Sequence, residues 1–136
     1  MNIFFDVDDT LIASRDGSLR PLAREVLKML NDDGDSVYVW SGTGLRWAEI
    51  KEHDLGPYVR DCYIKPLVDH RNALISLGIV VEPDFVVDDY RDVVEVFGGH
   101  AIRPYVVADL GDRELTVVYE KIKAARRARA SSGQPR

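Results

Sequence analysis

Four short stretches of this chain concentrate residues able to do chemistry. Asp6-Val7-Asp8-Asp9-Thr10 supplies three carboxylates and a hydroxyl, and Ser41-Gly42-Thr43-Gly44 sets two hydroxyls in a glycine-rich turn. Lys65-Pro66 brings an ammonium, and Asp88-Asp89 with Asp92 brings further carboxylates. Acids gathered in one crevice repel one another unless a divalent cation joins them. Oxygen-only ligands suit Mg²⁺, whose shell is usually completed by waters and a substrate phosphate. A lysine adds a compact positive charge suited to a phosphate or an acyl-phosphate. A Ser-Gly turn at a helix start offers a hydroxyl and backbone N–H groups to an anion. Phosphoryl transfer needs such a set: nucleophile, acid/base and charge neutralisation.

Each stretch follows an apolar run that must position it. Ile3-Phe4-Phe5-Asp6-Val7, Val37–Trp40, Tyr63-Ile64 and Phe85–Val87 read as strands, and Ile102–Val107, interrupted by Pro104, as a fifth. Between them lie helical patterns. One starts at Pro21, with Leu22, Val26, Leu27 and Leu30 on one face, and stops at Asn31-Asp32-Asp33-Gly34. Others are expected over Leu45–His53, Asp69–Leu77 (closed by Gly78) and Arg91–Phe97, with a last helix capped by Asp112 and running towards Ala130. Strands alternating with helices imply an α/β fold, a Rossmann-like three-layer α/β/α sandwich around a mostly parallel five-stranded sheet. Ligands of such sheets bind beyond the carboxyl ends of the strands, where the four stretches fall.

The chain has 136 residues, one core's worth, so residues 1–130 are expected to form a single domain and 131–136 a disordered basic tail. No apolar run is long enough to cross a bilayer, which argues against a membrane role. Acids at positions 6, 8 and 9 argue against a signal peptide, and the lone Cys62 against disulfides, so a cytoplasmic location is expected. Residues 1–120 carry 23 acids and 12 Lys+Arg, whereas residues 121–136 carry six Lys+Arg and no acid. An acidic body argues against nucleic-acid partners, and the basic end suits the C-terminus of a helix. His53, His70 and His100 are too scattered for a zinc site. Arg15, Arg46 and Trp47 lie near the strand-end loops as candidate substrate contacts.

Asp6-Val7-Asp8-Asp9-Thr10-Leu11 after an apolar strand resembles the first signature of the haloacid dehalogenase superfamily of phosphatases. Ser41 after the second strand, Lys65 after the third and Asp88-Asp89-Tyr90-Arg91-Asp92 after the fourth resemble its other three motifs, in order, over residues 1–95. The resemblance implies that Asp6 attacks phosphorus and becomes an aspartyl-phosphate. Asp8 would protonate the leaving oxygen and then activate water. Mg²⁺ would be held by Asp6, the Asp8 carbonyl and Asp88, with Asp89 or Asp92 as the further acid. Ser41, Gly42, Thr10 and Lys65 would bind the phosphoryl group. Members that cleave carbon–halogen bonds lack the second acid, so Asp8 implies a phosphomonoester substrate.

Larger members of that superfamily insert a lid between the first and third motifs. Here Leu11–Ser36 and Gly42–Ile64 hold about one helix each, so the resemblance implies a capless enzyme. Its substrate would be a phosphorylated small molecule or macromolecule. Water would be excluded by that substrate, by a homo-oligomer or by a flap over Ile12–Arg20. Two alternatives remain open: a catalytically idle phosphate- or metal-binding regulatory module, and a nucleic-acid end phosphatase guided by the basic tail.

Overall fold

The fold was described from a computed structural model of residues 1–133. The strands are β1 (Asn2–Asp6), β2 (Ser36–Ser41), β3 (Asp61–Ile64), β4 (Phe85–Asp88) and β5 (Gly99–Ala101). The helices are α1 (Ala23–Asp32), α2 (Trp47–Glu52), α3 (His70–Ser76), α4 (Arg91–Phe97) and α5 (Glu114–Ser131), with a 3₁₀ turn at Gly56–Tyr58. The strands form one sheet in the order β3-β2-β1-β4-β5, and every pairing is parallel. The expected α/β architecture is therefore present, wholly parallel rather than mostly so.

Alternation along the strands builds two cores. Ile3 and Phe5 of β1, Val37 and Val39 of β2, and Phe85 and Val87 of β4 face α1, α2 and α5, meeting Val26, Leu27, Leu30, Ile50, Leu115, Val118 and Ile122. Phe4, Tyr38, Trp40 and Val86 face the other way, onto Leu74 of α3 and Val93 of α4. Phe4 stacks on Tyr38 with ring centroids 4.8 Å apart. Buried on both faces, β1 is apolar from Ile3 to Phe5, and at its last residue it becomes an acid. The β1–β2 and β2–β3 intervals each hold one α-helix with turns and no separate lid.

One strand lies elsewhere than expected. β5 is Gly99–Ala101, and Ile102–Val107 has no strand structure. Gly99 has φ 145°, and a Cβ there would stand 1.9 Å from the Val86 carbonyl oxygen, so only glycine lets the chain run this close to β4. Ile102 still donates to the Asp88 carbonyl at 2.8 Å. Pro104, which has no N–H to offer, follows, and the chain turns so that Tyr105 donates to the Asp9 carbonyl at 2.8 Å.

The C-terminal end is bound to the body. α5 runs to Ser131, and Arg126 pairs with Asp35 and Asp33 while Arg129 lies 3.1 Å from Asp84. Residues 134–136, the remainder of the tail expected to be disordered, lie outside the described residues. No helix among the described residues is long and apolar enough to cross a membrane.

Candidate active site

Strand parity decides which way the acids point. Phe4 of β1 and Val86 of β4 sit side by side on one face, so Asp6 and Asp88, two residues on, share that face. Lys65, just past β3, reaches both: its Nζ donates to Asp6 Oδ1 and to Asp88 Oδ2, each at 3.0 Å. All three side chains are buried. The backbone N–H of Tyr90 donates to Asp88 Oδ1 at 2.9 Å, and the Thr10 hydroxyl donates to Asp6 Oδ2 at 3.1 Å. Both carboxylates are thus aimed by short hydrogen bonds from the loops that follow their own strands.

The electrostatics are unbalanced. Burial, then the charge on Asp88, pushes Asp6 up to about 8, against the pull of Lys65. Burial also raises Asp88. Burial alone would lower Lys65, but the charges on Asp6 and Asp88 outweigh it and raise the ammonium. Oxygens of Asp6, Asp88 and Asp89 lie within 4.8 Å of one another. Three carboxylates against one lysine leave negative charge that a divalent cation would neutralise, and oxygen-only donors with space beside them fit Mg²⁺ chemically.

These residues open onto a cavity of about 520 Å³ at the carboxyl ends of the strands. Of the residues expected from sequence, Asp6, Asp8, Ser41, Gly42, Lys65, Asp89 and Asp92 line it. Thr10 does not: it is fully buried behind Asp6 and aims that carboxylate. Asp88 is also fully buried, at the rear of the cluster. Asp89 joins the acid cluster, whereas Asp92, in the first turn of α4, lines the cavity outside it. Leu67 packs over Gly42, where an added Cβ would meet its Cδ2 at 2.7 Å.

Asp8 turns away from the cluster. Its Oδ2 accepts from Arg46 Nη1 at 2.7 Å, and the same nitrogen lies 3.2 Å from Ser41 Oγ. Ser41 Oγ is also 2.9 Å from Thr43 Oγ1. Arg15, Arg46 and Trp47 do not line the cavity, although Arg46 touches Asp8 and Ser41 on its wall. The Arg15 backbone instead donates to Val106, and Asp16 accepts from Ala108, so the segment expected as a flap is pinned to the chain after β5. Sequence reasoning missed Asp9, Thr43, Pro66, Leu67, His70, Tyr90 and Val93 as lining residues. Adjacency was the available signal for all of these but His70, since each lies within two residues of a motif position. No family model matches the chain, and no curated protein matches it.

Proposed function

We propose that this protein is a cation-dependent phosphomonoester hydrolase working through an aspartyl-phosphate, as the resemblance to haloacid dehalogenase-type phosphatases implies. The observation that carries the reading is the convergence of Asp6, Lys65, Asp88 and Asp89 on one cavity, with Asp8 and Ser41 on its wall. Asp6 Oδ attacks phosphorus, the ester P–O bond breaks, and the leaving oxygen takes a proton from Asp8. A water then attacks phosphorus and gives its proton to Asp8. The bond from phosphorus to Asp6 breaks, releasing inorganic phosphate and restoring both acids. Lys65 neutralises the nucleophile and the incoming phosphoryl group, and Ser41 hydrogen-bonds a phosphoryl oxygen. Mg²⁺ held by Asp6, Asp88 and Asp89 would supply charge neutralisation and keep Asp6 ionised.

Nucleic-acid ends are the weaker substrate class, because Arg126 and Arg129 of the basic end are already paired with acids of the body. The test is a panel of phosphorylated metabolites, peptides and oligonucleotides assayed with Mg²⁺ and with chelator. Hydrolysis that needs the metal and disappears in Asp6→Asn and Asp8→Asn supports the reading. Metal or phosphate binding without any turnover would establish the idle regulatory module in its place.

A further inference from the structure

Arg46 precedes α2 and reaches back across the turn that follows β2. Its Nε donates to Glu49 at 2.6 Å, which fixes the guanidinium plane. Its Nη1 faces three oxygens: Asp8 Oδ2 at 2.7 Å, Ser41 Oγ at 3.2 Å and Thr43 Oγ1 at 3.4 Å. A nitrogen with two hydrogens cannot serve three acceptors well, and the shortest contact goes to the charged one. The cavity is lined by Asp6, Asp8, Asp9, Asp89 and Asp92, and its lysine is already shared between Asp6 and Asp88. Arg46 is thus a second cation beside the same cavity. Its hydrogen bond is committed to the very acid that hydrolysis requires to face the leaving oxygen.

We propose that Arg46 is the phosphate-binding arm of this site, exchanging Asp8 for a phosphoryl oxygen when substrate arrives and so releasing Asp8 to take up a proton from solvent and deliver it to the leaving group. The proposal rests on the phosphatase reading above for the role of Asp8. A phosphoryl oxygen accepting from Ser41 Oγ falls within reach of Nη1, which is already 3.2 Å from that hydroxyl. A phosphomonoester dianion outcompetes a carboxylate monoanion for a guanidinium, whose fork also suits two phosphoryl oxygens. Nε can keep Glu49 throughout, so only one acceptor changes and the arm need not unfold the turn. In the free site Asp8 is therefore held by Arg46 until a phosphate takes its place.

The experiment is calorimetric titration of the intact protein with inorganic phosphate in Mg²⁺, on wild type, Arg46→Lys and Arg46→Gln, alongside steady-state hydrolysis of phenyl phosphate. Arg46→Gln should weaken phosphate binding by about tenfold or more and raise KM by a similar factor. Arg46→Lys should recover part of both, since it keeps the charge and loses the fork. Thermal melts of the two variants identify any that fail to fold, and the lysine variant then carries the comparison. Phosphate affinity unchanged in a folded Arg46→Gln would overturn the arm and leave Arg46 as a group that orients Asp8. A wild type that binds no phosphate overturns it as well. A wild type inert towards phosphomonoesters that nonetheless loses phosphate affinity in Arg46→Gln overturns the phosphatase reading alone and upholds the arm.

Discussion

Two buried charge clusters flank the loop that follows β1 and obey opposite rules. Behind the loop that follows β1, Arg20 is fully buried and pairs two-pronged with Asp112, Nε to Oδ1 at 2.8 Å and Nη2 to Oδ2 at 2.9 Å. Its remaining hydrogens go to the carbonyls of Thr10 and Arg103, and Tyr105 lies against its face. Burial alone would raise Asp112, but the hydrogen bonds from Arg20 and the Glu114 N–H outweigh it and lower its pKa. In front of the same loop, Asp6 and Asp88 share one lysine and both are raised. The rear cluster is closed, with each charge answered by an opposite one. The front cluster is left short of positive charge, and its oxygens could hold a cation.

The sharpest way to break this contrast is Asp6→Asn. If Asp6 is the nucleophile of the proposed reaction, phosphatase turnover should fall by at least about a thousandfold. The same change should stabilise the metal-free protein, because it removes a charge the fold holds at a loss. Paired activity and urea-denaturation measurements in chelator check both halves. A variant that is inactive and also less stable than wild type would mean that the front cluster is structural after all.

Arg20→Met should do the reverse. It leaves Asp112 buried without its partner and frees the backbone of Asp9 and Thr10, so a loss of about 3–5 kcal/mol is expected in denaturant titrations. Any fall in turnover should then follow the fraction unfolded. If Arg20→Met folds with wild-type stability, the closed cluster does not hold this loop.

Proton linkage separates the clusters next. A carboxyl raised from 3.8 to about 8 holds a proton in the folded state that the unfolded chain has lost. Stability from Asp6 is therefore fully present below pH 3.8 and is lost as pH rises to about 8. Asp112, lowered, behaves oppositely: its contribution is present above the ordinary carboxylate range and disappears on acidification. In chelator, the stability gap between wild type and Asp6→Asn should widen steadily as pH rises from 5 to 8. Mg²⁺ at about a hundred times its Kd should restore about 2.7 kcal/mol to wild type at pH 8 and little to the variant. A gap independent of pH would contradict the raised Asp6.

How far the sequence disclosed these features follows from how local each one is. The acids after β1 and β4 were legible because a run such as Ile3-Phe4-Phe5 has few uses other than a buried strand, and parity then sends Asp6 and Asp88 the same way. β5 was misplaced because its signal, Gly-Gly-His-Ala, lacks β-branched residues. What makes it a strand is the close approach to Val86 that glycine permits. The Arg20–Asp112 pair spans 92 positions and Arg46–Asp8 spans 38. Asp8, Arg46 and Asp112 each stand out singly in the sequence, but nothing there pairs either arginine with its acid, since an arginine in a loop is by default a surface residue.

The smallest expected effect concerns the third group of charges, on α5. Arg126 is partly exposed, yet it reaches Asp35, which is buried and also accepts from the N-terminal ammonium at 2.9 Å. Asp35 therefore keeps a close, buried partner when the arginine is removed, whereas Asp112 without Arg20 keeps only the exposed Arg103 at 3.6 Å and the Glu114 N–H. Arg126→Ala should cost only about 1 kcal/mol, and less at high salt, because solvent screens the exposed side of the pair. Hydrolysis of oligonucleotide ends, if it occurs, should keep its salt dependence in this variant, since a guanidinium occupied by Asp35 and Asp33 has little left to offer a phosphate backbone. A loss as large as that of Arg20→Met would place Arg126 among the closed pairs. A flattened salt dependence would return the basic end to the substrate.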